Sequence, residues 1–529
     1  MTCSVVVDGS DHNSPLRSSY RTHSTSRRVR NSIRNDFGRY ELLVLLISQL
    51  SYIPITTTML STAFYEPTQP TCARLNDSYG NVDSFSFSEV IDIDFNSLLL
   101  DWGEACQQST LTAFMSTSLM AGALTGSFIA GWLADTYGRL PVLKACLLVV
   151  CVGNGVFSFV ATVSWMMSAS LLFLLGAGCG GYMVTNLVLL VENLDHPGSR
   201  LLAVSLNGWS FSMIFVALLA RVTQHWFLFH LFTAVLAFVA FLAFQMWVVE
   251  SCRWLASVHR ANDARSTALR IRVRYSRSTQ NSSELQWWEI LGLSEPAVSV
   301  SNEKQLLRKY AYSDLFRYSS VYVPLLALCY CFVSSSVVSF GFYFNADVLP
   351  GNRYMNMAFM GLSKFAMGLI PFAVSSFVGR RPIVSVSVGI ACAGAWLAVL
   401  SQLYGGSSWH WSLVVLSLIV SAALDPAWKI NHLYSAELFP TVVRNMARAI
   451  CNVGARLGSV VAPMVVHLRT IHHLIPYIVF AGFLSVQLVV VAACIPETKG
   501  RPLPEELPSE KTTARESQMV ELSLRPDRA

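Results

Sequence analysis

Long apolar runs separated by polar stretches set the first pattern along this chain. A helix needs about 20 mostly apolar residues to cross a bilayer. Twelve segments reach that length, near 41–64, 110–134, 140–163, 166–191, 201–222, 226–249, 321–344, 354–378, 383–403, 411–434, 446–466 and 474–495. Those at 354–378 and 446–466 each carry a basic residue mid-span. The first run starts at Glu41 and is too long for a cleavable signal peptide, so it is expected to stay as the first helix.

Composition supports the same reading. A soluble chain of 529 residues would form three or four domains of ~150 residues each. Charged residues make up 13% of this chain against 53% hydrophobic, where ~25% charged is usual. So few charges cannot coat several globular surfaces. The net charge of +6 is also too small to mark a nucleic-acid binder. A polytopic membrane protein remains, with the lipid bilayer as its surroundings.

The basic residues then fix an orientation, because Lys and Arg concentrate in cytosolic loops. With the N-terminus inside, 31 of the 38 fall on the cytosolic side, four (Arg74, Arg221, Arg353, Arg469) outside, and three (Lys364, Lys429, Arg456) within spans. Both termini are therefore expected in the cytosol. The first outer loop, about 65–109, holds eight acids and one Arg, and contains the glycosylation sequon Asn76-Asp77-Ser78. Of twelve cysteines, ten lie in spans or on the cytosolic side, where thiols stay reduced. Cys72 and Cys106 both face outward in that loop. They are read as a disulfide, with two free thiols as the alternative.

The two halves of the sequence echo each other. Gly138-Arg139 recurs as Gly379-Arg380 after 241 residues, Glu192 as Glu437 after 245, Arg200 as Arg444 after 244, and Glu250 as Glu497 after 247. The near-constant offset implies two six-helix bundles. The expected organisation is a basic, disordered tail at 1–40, a first bundle at 41–255, a cytosolic linker with short helices at 256–318, a second bundle at 319–497 and a tail at 498–529. Secondary transporters are built from such repeats, with the substrate site between them near the midplane.

Specific blocks carry a family resemblance. Gly131-Trp-Leu-Ala-Asp135-Thr-Tyr-Gly138-Arg139 resembles the loop between helices 2 and 3 of the major facilitator superfamily. Within that superfamily, Glu250-Ser-Cys-Arg253-Trp254-Leu255, Ser435-Ala-Glu437-Leu-Phe-Pro440-Thr-Val-Val-Arg444 and Pro496-Glu-Thr-Lys-Gly-Arg-Pro-Leu-Pro504 resemble blocks of the organic cation, anion and carnitine carriers. The resemblance covers about 36–507. It implies an all-α polytopic membrane protein of the major facilitator fold, with twelve transmembrane helices in two pseudo-symmetric six-helix bundles. It further implies a plasma-membrane location and a small organic ion as substrate, with or without a counter-ion, and gives no sign of an obligate protein partner. Thr136 and Leu140 depart from the basic residues usual in the first loop.

Many of these charges lie at the cytosolic face. Asp135, Arg139, Glu192, Arg200, Glu250, Arg253, Arg380, Glu437 and Arg444, with Gly138 at the turn, form a gating set. As ion pairs they would hold an inner gate shut and break when it opens. As isolated charges they would serve topology and solubility only. Asp135 is expected to face the positive start of helix 11.

Ionisable residues at bilayer depth are costly and mark functional sites by default. At ~1.5 Å per residue, Lys364 and Arg456 lie about 15 Å into their helices and Asp425 about 21 Å. Lys429 is close enough to the inner face to snorkel. Two cations and one anion at similar depth would hold a substrate carboxylate or sulfate, or else pair internally, Asp425 with Arg456 or Lys364. The helix 11 stretch Ala455-Arg456-Leu-Gly458 resembles that of the anion and carnitine carriers, which favours an anion. Trp209, Phe340, Tyr343 and Trp428 are candidate aromatic walls of the pocket.

No phosphate-binding loop of the Gly-x4-Gly-Lys-Ser/Thr type occurs, and the histidines show no ligand spacing for a metal. No enzyme activity and no cofactor are expected. The leading reading is a secondary transporter of small organic anions working by alternating access. An organic cation or carnitine-like zwitterion carrier, and a non-transporting receptor or scaffold of the same fold, are the alternatives.

Overall fold

The structure, a computed structural model, describes residues 39–67, 95–104, 110–194, 203, 205–206, 208–258, 260–275, 312–346, 349–374, 377–404, 410–440 and 443–499. Arg200, Cys72, Cys106 and Asn76 lie outside the described residues. Eleven described helices are long and apolar enough to cross a membrane, and Gly208–Thr223 is a shorter apolar helix. Together they match the twelve expected segments in order.

In chain order the helices are α1 (Arg39–Phe64), α2 (Leu111–Tyr137), α3 (Arg139–Val160), α4 (Trp165–Asn193), α5 (Gly208–Thr223), α6 (Trp226–Trp247), α7 (Ser319–Phe344), α8 (Arg353–Val374), α9 (Arg380–Tyr404), α10 (His410–Glu437), α11 (Arg444–His467) and α12 (Ile475–Cys494). Two short helices, Cys252–Ser257 and Ala261–Tyr275, follow α6. Outward positions remain strongly apolar: Phe159, Val222 and Val489 are each at least 65% exposed. A continuous surface of that kind requires lipid rather than water.

Within the first half α2 packs on α4, and within the second α7 packs on α11. Small residues allow both approaches. A Cβ on Gly122 or Gly126 would run into the α4 backbone at Phe173 and Ala177, and one on Gly458 would meet the α7 backbone at Val333. Pro426 interrupts the hydrogen bonds of α10. Ser387 of α9 patches the break by donating to the Ala423 carbonyl and accepting the Ala427 N–H. The halves meet where α2 touches α11 and α5 touches α8, leaving a cavity between them.

Candidate transport cavity

The cavity measures about 1660 Å³ and draws its lining from both halves. It runs from the midplane residues Trp209, Tyr343, Lys364 and Arg456 to the Gly-Arg end, where Asp135, Arg139, Glu192, Arg380, Glu437 and Arg444 line it.

Away from the Gly-Arg end, one buried cation bridges the two halves. Arg353, the first residue of α8, is 3% exposed. Its guanidinium lies 5.4 Å from the Phe64 ring, 5.5 Å from Phe95 and 5.7 Å from Tyr354. It also donates to the Glu66 carbonyl at 3.0 Å. Phe64, Glu66 and Phe95 belong to the first half and Arg353 to the second, so this cation–aromatic cage bridges the halves. The positive-charge count placed Arg353 in an outer loop, and nothing in the local sequence announces the cage.

At the Gly-Arg end a similar cluster of charges forms in each half. Arg139 donates to Glu192 at 3.3 Å and pairs with Asp135. Arg380 pairs with Glu437 at 3.4 Å. Glu250 accepts the N–H groups of Arg139 and Leu140, and Glu497 accepts those of Arg380 and Arg381. The glycine of each Gly-Arg pair follows from this. Glu250 stands where a Cβ on Gly138 would be, and Glu497 does the same at Gly379. Gly138 also has φ of +115°, a region costly for other residues.

Burial raises the Glu250 carboxyl above the usual carboxylate range, against the pull of its backbone donors. Burial pushes Glu497 the same way, but four backbone N–H groups outweigh it and hold that carboxyl low. The pairs Arg139–Glu192 and Arg380–Glu437 each lie within one half. Asp135 pairs with Arg139 one turn away, and Trp254 Nε1 donates to its backbone carbonyl. Arg444 Nε donates to the Phe439 carbonyl just before α11. Arg253 sits half-buried in the short helix after α6.

The midplane charges are arranged differently from the expected internal pairs. Asp425 is paired with Lys429 at 3.9 Å, one helical turn along α10, both about 5% exposed. The expected snorkelling of Lys429 is corrected: its side chain turns to a buried carboxylate, which a lone cation in lipid would otherwise lack. Lys364 donates to the Ser421 carbonyl at 3.2 Å, with its ammonium 5.4 Å from the Tyr343 ring centre. Arg456 reaches across to the first half, where Met183 Sδ lies at 3.5 Å. Among the described residues no carboxylate pairs with Lys364 or Arg456 within 4.0 Å.

The four candidate aromatics line the same cavity. Trp209 of α5 packs on Phe340 at 5.7 Å and on Tyr343 at 6.4 Å, both of α7. Trp428 lines it lower down, edge-on to Phe332 and His432. The hydroxyls of Ser205 and Ser336, also in the lining, have no protein partner among the described residues. No group of three or more His, Cys, Asp or Glu among the described residues could hold a metal ion.

Comparison with known proteins agrees with this architecture. The sugar (and other) transporter family pattern matches residues 57–507. Organic anion transporter 3 of Oryctolagus cuniculus is 25% identical over 83% of this chain and 78% of its own length. The organic cation transporter protein of Drosophila melanogaster is 26% identical over 81% and 78%. Solute carrier family 22 member 4 of Mus musculus is 26% identical over 93% and 84%. Among solved structures, the xylose transporter XylE of E. coli in its inward open conformation aligns with a TM-score of 0.62 at 15% identity, over 90% of this chain and 99% of that one. The chain therefore belongs to the sugar (and other) transporter family, as a multi-pass membrane transporter of the solute carrier family 22 type with the major facilitator fold.

Proposed function

We propose that this transporter carries small organic anions across the plasma membrane by alternating access, with both termini and the Gly-Arg loops in the cytosol. One observation carries the charge preference. Lys364 and Arg456 line the cavity with no carboxylate paired to either among the described residues, while Asp425 is engaged by Lys429. A carboxylate or sulfate would complete both cations, and Arg456 offers it two parallel N–H bonds. Trp209, Phe340 and Tyr343 would cover an apolar body, and the Ser205 and Ser336 hydroxyls would take its polar edges. The formed pairs Arg139–Glu192 and Arg380–Glu437 each lie within one half and so do not latch the halves together; on this reading, with the Arg353 cage bridging the halves and the Gly-Arg end lining the cavity, the conformation is inward-facing.

The aromatic wall also suits an organic cation, and one relative carries that name. For such a substrate Lys364 would have to leave the Tyr343 face and Asp425 to leave Lys429. Uptake of labelled organic anions and cations into expressing cells separates the readings. Arg456→Ala should abolish anion uptake while the protein still reaches the surface. Arg456→Lys should rescue poorly, because the guanidinium fork is lost. Normal anion uptake by Arg456→Ala, or a wild type that carries only cations, overturns the anion reading.

A further inference from the structure

The start of α11 adds cations to the cavity that the midplane site does not use. Arg444, Arg448, Asn452 and Arg456 recur every fourth residue, and all four line the cavity. Four-residue spacing keeps side chains on one stripe of a helix. At ~1.5 Å per residue the stripe climbs about 18 Å, with Arg448 about 12 Å below Arg456. Arg444 Nε is bound to the Phe439 carbonyl. Arg448 is half-buried, and among the described residues no carboxylate pairs with it within 4.0 Å. The acids nearest the mouth are already engaged: Glu192 by Arg139, Glu437 by Arg380 and Thr498, and Glu497 by backbone N–H groups. Trp428 and His432 of α10 line the same lower stretch as an aromatic edge pair, 5.5 Å between ring centres.

We propose that Arg448, with Asn452 beside it and Trp428 and His432 on α10, forms a second anion subsite in the inner vestibule. A carboxylate or sulfate would be held there between the cytosolic mouth and Arg456. The positive start of α11 favours an anion in the same place. Arg448 turns one deep binding site into a path of two stations about two helical turns apart. A released anion exchanges Arg456 for Arg448 rather than for water alone, and an anion from the cytosol is captured at Arg448 first. The subsite rests on the anion reading above but makes a separate demand: it is open only when the cavity faces inward, so it acts from one side of the membrane.

The test uses the full chain reconstituted in vesicles of uncharged phosphatidylcholine, with radiolabelled benzoate, glutarate and phenyl sulfate as probes. Half-saturating concentrations are measured separately from the outer and inner faces for whichever probe the wild type carries best. Arg448→Ala should raise the inner value about fivefold more than the outer one, and Arg448→Lys should restore most of the loss, because a station needs charge more than a fork. Equal shifts on both faces, no shift on the inner face, or a shift that appears only after adding phosphatidylserine (the signature of a lipid-headgroup contact) would overturn the subsite. If the wild type carries none of the three anions but does carry tetraethylammonium, the anion reading fails and the subsite with it. If anions are carried and Arg448→Ala is without effect from inside, the subsite alone fails.

Discussion

Glu250 and Glu497, 247 residues apart, do the same work in the two halves: each carboxylate sits on the backbone of a Gly-Arg turn and accepts the N–H groups that open the next helix. Four orphan donors begin every helix. Here a glutamate arriving from the end of the half supplies acceptors for two of them. It ties the last helix of each bundle to the third, and an arginine on the same turn ties the third to the fourth.

The two glutamates should respond oppositely to pH. The Glu497 carboxyl is held below its ordinary value, so its stabilisation is present above the unfolded carboxyl value of about 4.3 and is lost as pH falls through the lower folded value. The Glu250 carboxyl is raised, so its protonated form is favoured in the fold, and that contribution disappears as pH rises through the raised value. Glu497→Gln should therefore lower stability at neutral pH and flatten the acid limb of stability, while Glu250→Gln costs less. Thermal unfolding in detergent at several pH values checks this; the reverse ranking of the two variants would contradict it.

The Arg353 cage should act as the outer seal. Arg353→Ala removes a cation held by three rings and the Glu66 carbonyl, a contact between the halves worth about 2 kcal/mol when desolvated. A cysteine placed at Ser339, in the cavity lining, should then react faster with a charged thiol reagent added outside. Arg353→Lys should fall between, since an ammonium lacks the planar face. Unchanged labelling in Arg353→Ala would remove the cage from the gating machinery.

Asp425 and Lys429 should behave as a structural pair. Lys429→Met removes the nearest cation from a buried carboxylate and should lower surface expression. Asp425→Asn combined with Lys429→Met should recover it. Were Asp425 the substrate-binding group, the double variant would reach the surface but lose transport of every substrate. Surface biotinylation and anion uptake, measured on the same cells, tell these apart.

The outer loop gives the simplest check of orientation. Asn76→Gln should increase gel mobility by the loss of one glycan, and tags on either terminus should stay inaccessible in intact cells. Surface labelling of a terminal tag would invert the topology. Alkylation of Cys72 and Cys106 that is the same with and without reductant would exclude the disulfide between them.

The sequence by itself determined the twelve helices, since crossing lipid requires about 20 apolar residues each and the backbone must bond internally. It also determined the repeat, because the fixed offset between Gly138-Arg139, Glu192 and Glu250 and their second-half counterparts reflects two copies of one loop geometry. The depths of Lys364 and Arg456 were legible for the same reason: helical rise is constant. Partners were less legible. Depth alone left Asp425 between Arg456 and Lys364, while the i,i+4 spacing that pairs it with Lys429 along α10 stood in the sequence and was read as snorkelling instead. Arg353 and Arg448 counted as loop charges, although the four-residue spacing of Arg444, Arg448, Asn452 and Arg456 was there to be read. Which ring, carbonyl or cavity a charged side chain meets depends on how separate helices rotate against one another. That rotation is set by packing across the whole bundle, as where α2 meets α11 and α5 meets α8, and no local stretch of sequence encodes it.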